Sequence, residues 1–284
     1  MSQSLPEVIY TPESRLRHPL RLLRMMFVDL WSSRELAWRL LVRDISAQYR
    51  QTLLGLFWAF LPPIATTGVF VILNKGKVMS VGDLTIPYPA FVMLGTIFWQ
   101  LFADALNTPL KTVTAAKSML SKINFPQEAL VLSGIGEVMF NFAIRLILLV
   151  PVFLWFRVSI VISAVLTPVA ILFLLLFGTV IGVLLIPLGL LYQDFARGLT
   201  IITSFWMLLT PVVYPPSDKG IMGILTRFNP VSPLIVTAKE WIITGFEVAN
   251  SGFWMVGGIT FGVLFVGWML YKLSMPIVIE RMQA

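Results

Sequence analysis

From Ile171 to Leu191 the chain runs for 21 residues without one charged side chain. A helix of about 20 apolar residues crosses the ~30 Å hydrocarbon core of a bilayer, since each residue adds about 1.5 Å. Six segments meet this requirement, at 54–74, 86–107, 129–156, 163–191, 199–214 and 251–272. The second starts at Ile86-Pro87 and contains Asp104. The fifth is short and ends in Thr210-Pro211 and Pro215-Pro216. Composition agrees, with 57% hydrophobic and 12% charged residues. A soluble domain averages about 45–50% apolar and about 25% charged. A disordered chain is excluded and an ordinary soluble enzyme is disfavoured. The expected fold class is all-α, a polytopic integral membrane protein with six transmembrane helices.

Residues 1–50 differ from the rest, with eight arginines, five acids and no long apolar run. A secretory signal would need an apolar stretch and a small-residue cleavage site. Leu22–Trp31 is apolar but too short to span, and reads as interfacial. Ser32-Ser33-Arg34-Glu35 fits a capping box, which predicts a second helix over about 33–50. Glu35, Arg39 and Arg43 then share one charged face at i, i+4 and i+8. Asp44, Tyr49 and Arg50 continue the helix, while Leu36, Leu40 and Leu41 form another face. This is an amphipathic interface helix with arginines at the lipid headgroups; a simple solvated face is the alternative. With both termini in the cytoplasm, 14 of the 21 Lys and Arg residues fall inside, six outside and Arg145 within the third span. That asymmetry supports six spans with both termini inside. The net charge of +7 therefore reads as sidedness and not as nucleic-acid binding. Residues 1–50 form a cytoplasmic segment and 51–284 one transmembrane domain, with no internal repeat.

The chain has no cysteine and one histidine, His18. Disulfides, thiolate metal sites and multi-histidine centres are excluded. No catalytic residue, metal ligand set or cofactor is assigned to this chain. Ionisable groups in spans are expensive and usually face a bundle interior or water. Glu137, Asn141 and Arg145 form one stripe, in which Glu137 reaches Arg145 through Asn141 or a water. Gln100, Asp104 and Asn107 form another, and an Asp104–Arg145 pair across helices is possible. Such groups either hold the bundle together or act in transport. Aromatic residues gather in three places: Phe57, Trp58 and Phe60; Phe98, Trp99 and Phe102; and Phe205, Trp206 and Tyr214. Rings can guide the C–H faces of sugars without holding them, but interfacial anchoring also explains Trp and Tyr. Gly178-x-x-x-Gly182 and Gly258-x-x-x-Gly262 match a close-packing motif, read as intrachain packing. Pro151, Pro168 and Pro187 are expected to kink or interrupt helices.

Residues 43–63 form a basic, polar helix running into Leu54-Gly55-x-x-Trp58-x-x-x-x-Pro63. This stretch resembles the start of type-2 ABC exporter permeases, closest to the polysaccharide-export branch that handles O-antigen, capsule and teichoic acid. Tyr10-Thr11-Pro12-Glu13-Ser14 and Ser33-Arg34-Glu35-Leu36-Ala37-Trp38 are most similar to its O-antigen permeases. The resemblance covers nearly the whole chain. It implies that the loop 108–128 carries a coupling helix that docks on an ATPase, through Lys117, Ser118, Met119, Leu120, Lys122, Asn124 and Phe125. Read by itself, that loop is a short basic helix whose lysines satisfy the inside bias. Asn229-Pro230-Val231-Ser232-Pro233 resembles the segment before the family's last helix, where short re-entrant helices sit at the external mouth. Four prolines and moderate apolarity across 213–250 agree; an ordinary loop is the alternative. Family members often carry Arg shortly after this motif, where Lys239 lacks the bidentate fork.

No Gly-x-x-x-x-Gly-Lys-[Ser/Thr] run occurs, so hydrolysis would need a separate subunit. The resemblance implies two copies of this chain and two ATPase subunits, which hold the ATP and Mg. It also implies a lipid-linked polysaccharide substrate in a cytoplasmic (inner) membrane, contact with membrane lipids and no nucleic acid. Phe57, Trp58, Phe60, Trp99, Phe205, Trp206 and Tyr214 are then candidate channel residues, and Asn229, Pro230 and Pro233 candidate gate residues. Other readings are an exporter of drugs or lipids, an integral membrane transferase for lipid-linked sugars, and a passive channel.

Overall fold

The computed structural model describes residues 19–50, 54–76, 84–120, 126–192, 194–216, 220–245 and 251–283. Among them every regular element is helical. In chain order they are α1 (Pro19–Arg50), α2 (Phe57–Lys75), α3 (Tyr88–Ala115), α4 (Lys117–Leu120) and α5 (Glu128–Phe156). After a 3-10 turn at Ile162–Leu166 come α6 (Thr167–Leu191), α7 (Asp194–Leu208), α8 (Gly220–Phe228), α9 (Val231–Ile243) and α10 (Ser251–Gln283).

Among the described residues, five helices have the length and hydropathy to cross a membrane: α2, α3, α5, α6 with its 3-10 turn, and α10. The expected fifth span falls on α7, whose 15 residues reach only about 22 Å. Thr210-Pro211 stops the helix early, because Pro disfavours helical backbone at the residue before it. The second span is the most enclosed, with 78% of its apolar window buried, against 17% for α2. So α3 is the axis of the bundle and α2 lies on its rim. Small residues let the neighbours close on α3. A Cβ on Gly178 would lie 2.7 Å from the Phe102 carbonyl oxygen, and one on Gly182 would strike that of Leu106. This pair is an intrachain seam between α6 and α3. Space beside Gly258 and Gly262 is open. Pro151 and Pro187 lie inside their helices, but Pro168 lies in the first turn of α6, where a missing N–H costs nothing.

The N-terminal region is one helix and not two. Nothing between 19 and 50 is Gly, and Pro19 is its first residue. The serines expected to cap a second helix instead turn back on the first. Ser32 and Ser33 both donate to the Asp29 carbonyl, at 3.0 and 2.5 Å. Helix-interior serines often satisfy their hydroxyls this way. Two buried clusters stack along the bundle. The larger joins α3, α5, α6 and α9; the smaller joins Ala37 and Leu40 of α1 to Val113, Leu120, Leu130, Ile186 and Met275. The molecule thus has an α1 end and an α9 end.

Candidate functional site

Arg145 of α5 is the hub of the bundle's polar network. It is 8% exposed, and its Nη1 donates to Asp104 Oδ2 of α3 at 2.5 Å. Its Nε donates to the Ala59 carbonyl of α2 at 3.4 Å. That carbonyl is available because Pro63 has no N–H for the i−4 hydrogen bond. One guanidinium therefore ties three helices. One turn earlier, Asn141 accepts from the Tyr49 hydroxyl of α1 at 2.8 Å. Glu137 makes no direct hydrogen bond to Asn141 or Arg145; it faces Lys111, near the end of α3, at 3.7 Å. The second stripe also divides, since Asn107 donates to its own helix at Ala103 and to Thr203 of α7, at 2.7 and 3.4 Å. Each acid here faces a base. The arrangement holds α1, α2, α3, α5 and α7 in register and offers no free acid–base pair.

At the α1 end, α4 is four residues long. Lys117 donates to the Leu190 carbonyl at 3.3 Å, where the last carbonyls of α6 lack helical partners. Leu120 is 5% exposed and packs in the cluster with Ala37 and Leu40. It therefore fastens the loop to its own bundle and does not face a partner, which corrects the expectation from sequence. Met119 is half-buried and Ser118 exposed. Lys122, Asn124 and Phe125 lie outside the described residues, as do 10–14 and His18. On α1, Glu35 pairs with Arg39 at 2.7 Å and Arg43 with Asp44 at 2.8 Å. Arg50 is exposed. The outward face of this helix carries Phe27, Trp31 and Trp38, all at least 60% exposed. Arg34 stacks 4.4 Å over Trp31. Lys272 of α10 bridges Asp29 of α1 and Glu128 of α5. Sequence reading missed this clasp, because its members are 243 and 144 residues apart.

At the α9 end, the 213–250 segment forms the two short helices α8 and α9, joined at Asn229-Pro230. Asn229 is buried and fully used. Its Oδ1 accepts from Trp206 Nε1 at 3.0 Å and the Val231 N–H at 3.1 Å. Its Nδ2 donates to Thr210 Oγ1 at 2.8 Å and the Leu209 carbonyl at 3.3 Å. Pro230 precedes α9 and Pro233 lies in its first turn, where neither disrupts it. Lys239 is 2% exposed; its Nζ donates to the Pro211 carbonyl at 2.7 Å and lies 3.9 Å over the Phe91 ring. Burial pushes this amine down to about 7, opposed by the charge of Glu240. Burial likewise pushes Glu240 up to about 7, opposed by Lys239. Gly95 makes room for the turn, since a Cβ there would strike the Val212 carbonyl. The frayed end of α7 is thus clamped between α3 and the α8–α9 pair.

Residues 35–242, most of the chain, match the ABC-2 type transporter family. The chain belongs to that family. The match runs from α1 to α9, so it covers both ends of the bundle and the polar network between them. The chain is also 26% identical over 213 residues to the O-antigen export system permease protein RfbA of Myxococcus xanthus, covering 74% of this chain and 80% of the relative.

The aromatic residues sort differently in this ABC-2 fold. Phe57 and Trp58 of α2 are half exposed, and Phe205 of α7 is 64% exposed. Phe60 is half-buried, edge-on to Phe57. Trp206 packs edge-on to Phe102 at 5.3 Å, and the Tyr214 hydroxyl donates to the Leu208 carbonyl at 3.1 Å. Trp99 is 4% exposed and packs in the core at a tilt against Phe102, so it is a packing residue here and not a surface guide. On α2 the buried positions are Ala59, Pro63 and Thr67, one stripe; on α7 they are Leu199 and Thr203. Both helices leave their remaining faces open.

Proposed function

We propose that this chain is the membrane-spanning subunit of an ATP-driven exporter of lipid-linked polysaccharide, with O-antigen-type polymer as the substrate. The observation that carries the reading is the relative named as an O-antigen export permease, aligned over 74% of the chain. Hydrolysis belongs to a separate ATPase pair holding ATP and Mg. The subunit sits in the cytoplasmic (inner) membrane with the α1 end facing the cytoplasm, in keeping with the Lys and Arg asymmetry. Met119 and Ser118 of α4, with the charged face of α1, meet the ATPase. The open faces of α2 and α7 meet a second copy and line the path, where Phe57, Trp58 and Phe205 contact sugar rings. The α8–α9 pair gates the external mouth. ATP binding draws the ATPases together, moves α4 and α1, and parts α2 from α7.

The test is affinity purification of the chain in mild detergent with its neighbours, followed by an ATPase assay. A stoichiometric ATPase is expected, with hydrolysis reduced severalfold by Met119→Asp. Recovery of the intact chain without any ATPase would sink the two-component exporter. Met119 is the informative position, because an acid at Leu120 would damage the chain's own core.

A further inference from the structure

Between α5, α6 and α10, toward the α1 end, lies a lateral cavity of about 220 Å³. Its construction is regular. Each helix contributes residues at i, i+3, i+4 and i+7, the spacing of a single helical face. Val131 and Ile135 of α5, Leu176 and Val183 of α6, and Leu264 and Trp268 of α10 make its walls. Seven residues of helix rise make the groove about 10 Å long. Leu30 of α1 closes one end, beside Glu128 and Tyr271. Gly267 adds no side chain to the lining, and a Cβ there would make only ordinary contacts, with Leu184 and Val180 at 3.4–3.8 Å, so a longer side chain can be accommodated at its root.

All three walls are helices with the length and hydropathy of membrane spans, and the groove lies in the half nearer α1. Next to it on α10, Phe265 and Val266 are 42% and 50% exposed, the behaviour of a lipid-facing surface. An apolar cavity of this size excludes water and takes an apolar guest. The only polar group on its α6 wall is Thr179, which is 3% exposed and whose hydroxyl has no partner. The ammonium of Lys272 at the closed end is already engaged by Asp29 and Glu128, so it offers no charge to a lipid phosphate.

We propose that this groove binds one acyl chain of a bilayer phospholipid, recognised by its chain and not by its headgroup. Each methylene taken in gains contact with the apolar side chains that line the groove. Because Leu30 closes the groove, the bound chain also supports α1 where it crosses α5 and α10. The site lies away from the open faces of α2 and α7, so it is separate from the proposed substrate path and stands whether or not that path carries polysaccharide.

The test uses the full chain in lipid nanodiscs with phospholipids carrying a photoreactive group in mid-chain, and maps adducts by peptide mass spectrometry. Adducts in 131–135 and 264–268 are expected at least fivefold above those at lipid-facing Leu154, and equally with phosphatidylethanolamine and phosphatidylglycerol probes. Gly267→Leu, which fills the groove, should lower them at least fivefold; Thr179→Val, which keeps the space, should not. If Gly267→Leu does not fold, Val131→Phe serves the same purpose from α5. Groove labelling no higher than at Leu154, labelling unchanged in a folded filled variant, or preferential labelling by a polyprenyl phosphate probe would each overturn the proposal.

Discussion

Arg145 meets two acceptors of different origin, the Asp104 carboxylate and a carbonyl set free by Pro63. Removing the cation leaves both without their donor. Breaking a buried pair costs about 3–5 kcal/mol; Asp104 is a third exposed, so Arg145→Met should cost nearer 2 kcal/mol, read as a lowered thermal midpoint in detergent. Arg145→Lys should not restore it, since one ammonium cannot copy the fork that reaches α2 and α3 together. Lys239 allows a pH test. Burial lowers its amine to about 7 in the fold from 10.5. Above pH 7 the unfolded chain therefore holds a proton that the folded chain has lost, and stability from this group rises with pH up to 10.5. Lys239→Met should remove that rise. It should also cost about 2 kcal/mol at pH 9, since it strands the carbonyls of Pro211 and Val212. A parallel pH profile in wild type and variant would refute this assignment.

Elements in this molecule are positioned by what they lack as much as by what they carry. The contact between α3 and α6 depends on two glycines that bring backbone against backbone. Gly182→Val should lower stability by about 3 kcal/mol, the upper end for overpacking, because the atom it strikes is a carbonyl oxygen and not a flexible side chain. Gly258→Ala, with open space beside it, should not destabilise and should raise stability by up to about 1 kcal/mol, since alanine is the better helix former. The α7–α9 region follows the same logic. Its helix is short because Pro211 follows it, and Asn229 collects the donors and acceptors that the break exposes. Asn229→Leu should unclamp this end while leaving α1 and its polar contacts in place. Hydrogen exchange checks it, with faster exchange expected across 206–213 and none gained across 33–47.

On the scale of the whole molecule, much was legible from residues alone. Apolar runs place α2, α5 and α6 to within a few residues, because lipid demands apolar helices of fixed length, whereas α3 and α10 continue past the expected ends at 107 and 272 to Ala115 and Gln283. The Asp104–Arg145 pair was legible because so few ionisable groups sit at that depth. What stayed hidden depends on distance in the chain. Lys272 clasps α1 through partners far away in sequence, and Leu120 reads as an outward docking residue until its neighbours are known. The serines at 32 and 33 mimic a cap, since the same hydroxyl serves a helix start or an interior carbonyl. The family match spans 35–242, and the function proposed from it makes the bundle half of a two-component pump with its path on α2 and α7. The measurement that tests this most directly is polymer location in cells lacking the chain, grown with its ATPase and the enzymes that build the polymer intact. The account predicts that lipid-linked polysaccharide accumulates on the cytoplasmic side and that surface polymer returns with the restored chain. Surface polymer at normal levels in its absence would contradict it.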